Sequence, residues 1–240
     1  MKAIKLLTMF VIAVMLPALA IAQTADEIIE KYIKALGGME KISAVNSIYM
    51  EGVLDVMGNQ GNVKTTVLNG KGYKQVIDVM GSQVIMCYTD SMGWQINPMT
   101  GNMSAEIMPA SQYKSGRDQI FVASAVIDYK SRGYKAEFLG KETVGTVSAN
   151  KLQLLTPDNN SMVYYFDPET GYLIMTVQQA EMMGQFMQIV MTMSDYQMTN
   201  LGYAVPFKVD TNYGGQIALT AKYSKIELNK EIDPAVFAKP

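Results

Sequence analysis

From residue 47 onward, apolar and polar positions alternate with a period of two, in runs of about 5 to 13 residues. The runs occupy 47–57, 62–69, 72–80, 83–89 and 93–97, and then 135–141, 147–156, 161–167, 172–180, 185–197, 204–212 and 216–228. Turn-forming residues separate them: Gly58-Asn-Gln-Gly61, Asn69-Gly70, Asp90-Ser-Met-Gly93, Pro157-Asp-Asn-Asn160, Asp167-Pro-Glu-Thr-Gly171 and Tyr213-Gly-Gly215. Connections this short join antiparallel neighbours. The pattern predicts a mainly β fold, one curved antiparallel sheet in a single domain over 23–240.

Helical periodicity precedes the strands. Thr24-Ala-Asp-Glu27 has the spacing of a capping box, and Ile28, Ile29, Tyr32, Ile33 and Leu36 share one face before Gly37-Gly38 ends the helix. A short helical turn is expected at 41–45. The strand pattern then breaks off between Pro109 and Gly133, where Ile120 to Ile127 include only one polar residue, Ser124. Asp118 as N-cap predicts a helix ending by Gly133, with an extended β-run as the alternative. A helix apolar on nearly all sides must be covered on more than one of them. With the N-terminal helix it is expected to cap the concave side of the sheet.

Alternation places Met187, Ile189, Met191 and Met193 on one strand face. Leu173, Met175 and Val177 align on the preceding strand, Ile48, Met50, Leu54 and Val56 on the first, and Val84, Met86 and Tyr88 on the fourth. The opposite faces carry Val53, Ile85, Phe186 and Val190, so both sides of the sheet are expected to be partly covered. The chain holds 20 Met in 240 residues. Thioether side chains adapt to irregular or variable apolar guests. The stripes fit a ligand-lining wall and a methionine-rich core equally well.

Lys2 and Lys5 precede an apolar stretch, Leu6 to Leu19, that closes on Ala20-Ile21-Ala22, the form of a secretory signal peptide cleaved after Ala22. Cleavage after residue 22 of 240 leaves 218 residues and takes the formal net charge from −2 to −4. A soluble periplasmic monomer is expected. The acidic balance argues against nucleic acid as a partner. Cys87 is the only cysteine. No internal disulfide can form, and stability must come from core burial.

The sequence has no histidine, which removes His-based triads and most transition-metal sites. Ser111-Gln-Tyr-Lys114 has the Ser-x-x-Lys spacing of penicillin-recognising acylases but lacks a Lys-Thr-Gly partner. Asp78, Asp90, Glu106, Asp167 and Glu169 lie mostly in turn-like positions, with one tryptophan, Trp94, to stack a sugar. No calcium loop is present. Met191-x-Met193 and Met182-Met183 would suit Cu(I), yet the first pair continues an apolar face that needs no metal. The reading is a non-enzyme with no cofactor and no metal; a Cu(I) chaperone and a non-catalytic envelope interaction protein are the alternatives.

Several segments, in their order and spacing, resemble the LolA-type periplasmic carriers of outer-membrane lipoproteins, in the divergent form found among Bacteroidota. They are 25–38, Gly93-Trp-Gln-Ile-Asn-Pro98, Asp128-Tyr-Lys-Ser-Arg-Gly133, Phe166-Asp-Pro-Glu-Thr-Gly171, Gly202-Tyr-Ala-Val-Pro-Phe207 and 227–237. The resemblance implies a half-barrel of about eleven strands under a helical lid, enclosing an apolar cavity for acyl chains of lipoproteins or other lipids. It implies transient contacts with inner- and outer-membrane transfer proteins. On this reading the cavity is lined by Met187, Ile189, Met191, Met193, Leu173, Met175, Val177, Met50, Leu54 and Met86. The lid is Ile120, Phe121, Val126, Ile127 and Arg117. In the family an arginine from an early strand holds the lid; here that strand offers Lys64, and Arg117 and Arg132 flank the lid segment instead.

Overall fold

The expected capping box forms: Thr24 Oγ1 accepts from the Glu27 amide at 3.2 Å, and the Glu27 carboxylate accepts from the Thr24 amide at 3.0 Å. It starts α1 (Ala25–Ala35), and α2 (Met39–Ser43) follows. Gly37 ends α1 with φ of +110°, and a Cβ there would stand 2.0 Å from the Gly202 carbonyl oxygen. The structure is a computed structural model that describes residues 24–79, 81–182, 185–215 and 217–240. The expected leader, 1–22, and Met183 of the Met182-Met183 pair lie outside these residues.

Thirteen strands follow among the described residues. Six come first: β1 (Ser47–Val56), β2 (Asn59–Leu68), β3 (Gly72–Val79), β4 (Ser82–Thr89), β5 (Gly93–Asn97) and β6 (Asn102–Ile107). After α3 (Ala110–Gly116) and a short 3-10 turn (Arg117–Ile120) come β7 (Lys135–Val144), β8 (Val147–Leu155), β9 (Ser161–Phe166) and β10 (Leu173–Met182). The chain closes with β11 (Gln185–Met198), β12 (Ala204–Tyr213), β13 (Ile217–Leu228) and a 3-10 turn (Pro234–Phe237). The hydrophobic pattern anticipated all of these strands but β6.

One open antiparallel sheet holds them in the order β6-β5-β4-β3-β2-β1-β13-β12-β11-β10-β9-β8-β7. First and last strands pair at its centre, and β6 and β7 lie at opposite edges. Residues 108–134, which join those two edges, must therefore cross the sheet. This is the physical origin of the lid. Tyr88 on β4 and Leu152 on β8 stand nine positions apart in that order yet share one hydrophobic cluster with Ile28, Ile29, Tyr32 and Leu36 of the α1 segment. On a flat sheet they would be about 43 Å apart at strand spacing. The sheet is curved around the helices, and the face beneath them is the concave one.

The expected helix over 118–133 is not the form the lid takes. After α3 and the 3-10 turn, Phe121 is extended (φ −97°, ψ 137°) and 121–134 runs in turns. Its backbone groups are satisfied by the β2–β3 turn: Gly70 donates to the Ile120 carbonyl at 2.9 Å, and Asn69 Oδ1 accepts from Val122 at 3.1 Å. Ile120, Val126, Ile127 and Tyr129 are buried against the main core. Burial on several sides was legible in the composition; the helix was not forced by it, because a neighbouring turn supplied the hydrogen bonds.

On the convex side the chain end packs down as a strap. Phe237 is buried with Cys87 and Trp94, its carbonyl accepting from Trp94 Nε1 at 2.8 Å. A Cβ on Gly72 would fall 2.4 Å from the Phe237 ring.

Candidate functional site

The inner face is read from cross-strand register. One ladder runs Leu228, Ile48, Val67, Tyr73, Tyr88; the next runs Ile226, Met50, Thr65, Gln75, Met86. Further along the strands lie Tyr223, Gly52, Val63, Ile77, Val84, and then Met193, Val209, Ala221, Leu54. The last two are Leu219, Thr211, Met191, Thr176, Tyr164, Leu152 and Tyr213, Ile189, Gln178, Met162, Leu154. None of these positions carries a charge. Charges occupy the alternate register, where Lys225 faces Glu51 and Glu51 faces Lys64, and where Asp55 faces Thr220 and Thr220 faces Asp210.

The methionine stripe belongs to the concave face. Met193 is buried in the main core, Met191 packs against it, Ile189 is buried beyond it, and Met187 is half-buried at the strand end. Met50 and Met86 share the face and pack on the same core. Leu54 forms a separate buried cluster with Val63 and Ala221, flanked by half-buried Val56, Ile77, Leu219 and Tyr223. No helix residue belongs to that second cluster. There the sheet presents an apolar inner wall outside the helix-packed core.

Leu173, Met175 and Val177 do not share one face. Register shifts between Leu173 and Met175: Leu173 pairs with buried Phe166, whereas Met175 and Val177 pair with Tyr165 and Val163 on the convex side. Across β11 they face Thr192 and Val190, not the methionines. A bulge adds one residue and turns every later side chain over, which a strict period of two cannot anticipate. Only Leu173 of the three joins the stripe's face.

The lid is clamped by Arg132, not Arg117. Arg132 Nε donates to Asp128 Oδ1 at 2.6 Å, its Nη1 stands 3.5 Å from Asp118 Oδ1, and its guanidinium stacks 4.1 Å from the Phe121 ring. Its side chain is 11% exposed, and Nη1 has no hydrogen-bond partner among the described residues. Tyr134 Oη donates to Asp118 Oδ2 at 3.0 Å. Arg117 is exposed at the wall of a cleft of about 300 Å³ that Tyr113, Phe121 and Arg132 also line. A second tie joins the lid to α1: Tyr129 Oη and Lys130 Nζ donate to Asp26 at 2.6 and 2.8 Å. These bonds hold the Asp26 carboxyl below its usual range, Lys130 contributing most. At its other end α3 lies against β10, and a Cβ on Gly116 would fall 2.3 Å from the Tyr88 ring.

Neutral polar groups on this face escaped the sequence reading. Thr65 and Thr176 are buried, and Gln75 Nε2 donates to Thr65 Oγ1 at 3.3 Å. The available signal was the phase of the charges on the central strands β1, β2 and β12, where Glu51, Asp55, Lys64, Lys208 and Asp210 all occupy the set opposite the apolar one. Among the described residues no group of His, Cys, Asp or Glu could hold a metal ion, and no helix is long and apolar enough to cross a membrane.

No family profile and no curated protein matches the sequence. Solved structures do match the fold. A DUF1329 family protein from Desulfovibrio piger is 11% identical with a TM-score of 0.59, over 89% of this chain and 97% of that one. A putative outer membrane lipoprotein-sorting protein domain from Vibrio parahaemolyticus is 10% identical with a TM-score of 0.58, over 90% and 97%. A LolA superfamily protein from Nitrosomonas europaea is 12% identical with a TM-score of 0.58, over 91% and 99%. The open, curved 13-stranded sheet is the fold this chain shares with these three structures.

Proposed function

We propose that this protein is an exported, non-enzymatic periplasmic carrier that holds acyl chains of lipoproteins or other lipids on its concave face for transfer towards the outer membrane. The observation that carries the reading is the uncharged inner face, apolar from Met193 to Leu54 and bridged by a lid that crosses from one sheet edge to the other. On β1, β2 and β13 the charges lie on the other side of the same strands. A strand of nine residues spans about 30 Å, the scale of an extended acyl chain. Each CH₂ taken out of water contributes about 0.8 kcal/mol, while transfer from bilayer to an apolar wall is close to neutral. Such a face shields a lipid in water and still lets it go at a membrane. The resemblance to a structure described as a lipoprotein-sorting domain supports the same reading.

Native mass spectrometry of protein recovered from its own periplasm tests it. The expected result is a bound lipid or acylated peptide; a lipid-free protein that also fails to keep an acylated peptide in solution overturns it.

A further inference from the structure

Four tyrosines reach the inner face from both wings of the sheet: Tyr73 on β3, Tyr88 on β4, Tyr213 on β12 and Tyr223 on β13. Tyr73 and Tyr88 are buried with ring centroids 6.0 Å apart. Burial pushes the Tyr73 phenol well above its ordinary range, and the nearby Tyr223, Tyr88 and Tyr213 add to it. Tyr88 is pushed up to about 12, again by burial and by Tyr213. Cross-strand register puts all four rings on the one concave face, and all stay protonated donors at any physiological pH. Thr65 stands among them, facing Gln75 across the register and accepting its amide hydrogen bond. The Tyr88 ring and hydroxyl lie directly beneath Gly116 of α3, where a Cβ would stand 2.3 to 2.5 Å from them.

The cluster can donate hydrogen bonds but holds no cation. In the ladders that surround it, no Lys or Arg is present to receive a carboxylate or phosphate. An anion drawn into this face would lose its hydration with nothing to replace it, whereas a carbonyl oxygen needs only the donors already present. Building on the proposed lipid-carrying role, we infer that these tyrosines with Thr65 and Gln75 form a subsite for the carbonyl of an acyl ester or amide. The ligand is then a lipid whose buried polar part is uncharged, and ionised fatty acids are selected against.

The test uses Nile red, a neutral probe, bound to the full mature protein and displaced at pH 8 by methyl laurate, N-methyl lauramide or laurate. The expected result is that the ester and amide displace it at about tenfold lower concentration than laurate, the scale of one well-made hydrogen bond and an unpaired charge. A neutral ester is also the more apolar competitor, so a variant carrying Tyr73→Phe, Tyr88→Phe, Tyr213→Phe and Tyr223→Phe is the control. It keeps the rings and the apolar area and removes only the donors. With each competitor's displacement scaled to the variant's own Nile red affinity, the ester-over-laurate ratio should fall to near unity. Laurate competing as well as its ester, or a Phe variant with undiminished preference, overturns the subsite while leaving lipid carriage intact. A protein from which no lipid displaces the probe overturns the carrier reading as well.

Discussion

Cys87 is fully buried beneath the C-terminal strap, and burial pushes its thiol up to about 11. Thiolate is the reactive species, so a native protein at pH 8 should resist labelling by iodoacetamide and react only on unfolding. Rapid labelling of the folded protein would contradict the strap's position. Gly72 tests the same corner from below. With Phe237 carbons 2.4 to 2.6 Å from where its Cβ would stand, Gly72→Ala must displace the ring and strain the Trp94 hydrogen bond. A loss of about 1–3 kcal/mol in denaturant unfolding is expected, the cost of overpacking. Neither site was legible beforehand. The strap's contacts are long-range, and a turn-like Asp233-Pro-Ala-Val-Phe237 says where a chain bends but not what it bends onto.

At the scale of elements, the lid is the part with two separable ties. Arg132 satisfies Asp118 and Asp128 at once while covering Phe121. Arg132→Ala would leave the partly exposed Asp118 and Asp128 carboxylates without their shared cation, and a cost of about 1–2 kcal/mol is expected. Hydrogen exchange should show lost protection over 117–134, with the sheet unaffected. Arg132→Lys should restore little, because an ammonium cannot reproduce the planar fork. The α1 tie has its own pH signature. Asp26 has a folded pKa below its unfolded value, so its contribution is present above the usual carboxylate range and is lost as pH falls through the folded value. Exchange in α1 should therefore rise only in acid, and Asp26→Asn should remove that pH dependence. The capping box made α1 readable from four residues. The lid's helix was misread because an apolar run reports burial and not conformation.

The whole molecule decides which side of each strand faces the concavity. Met191 and Met175 are both methionines on neighbouring strands, one on the concave face and one on the convex. Met191→Asp should abolish uptake of an acylated peptide, whereas Met175→Asp should leave it within about twofold of the parent, both checked by circular dichroism for folding. Equal effects would remove the inner face from the site. The topology gives the lid its length as well: β6 and β7 are distant in the sheet, so the 108–134 connection has to bridge the concavity.

Period-two alternation and short turns determined an antiparallel meander, since side-chain direction and turn length are local properties of the chain. Local chemistry likewise determined the first helix, the lack of any histidine-based site and the methionine stripe at 187–193. Three things needed the tertiary structure. The bulge in β10 separated Leu173 from Met175 and Val177. The pairing of β1 with β13 made 108–134 a crossing. Curvature then chose which face is inside and so put tyrosines from β3, β4, β12 and β13 on that same face. Each depends on contacts between residues far apart in sequence, and a pattern read along the chain holds no information about which distant strand will stand opposite.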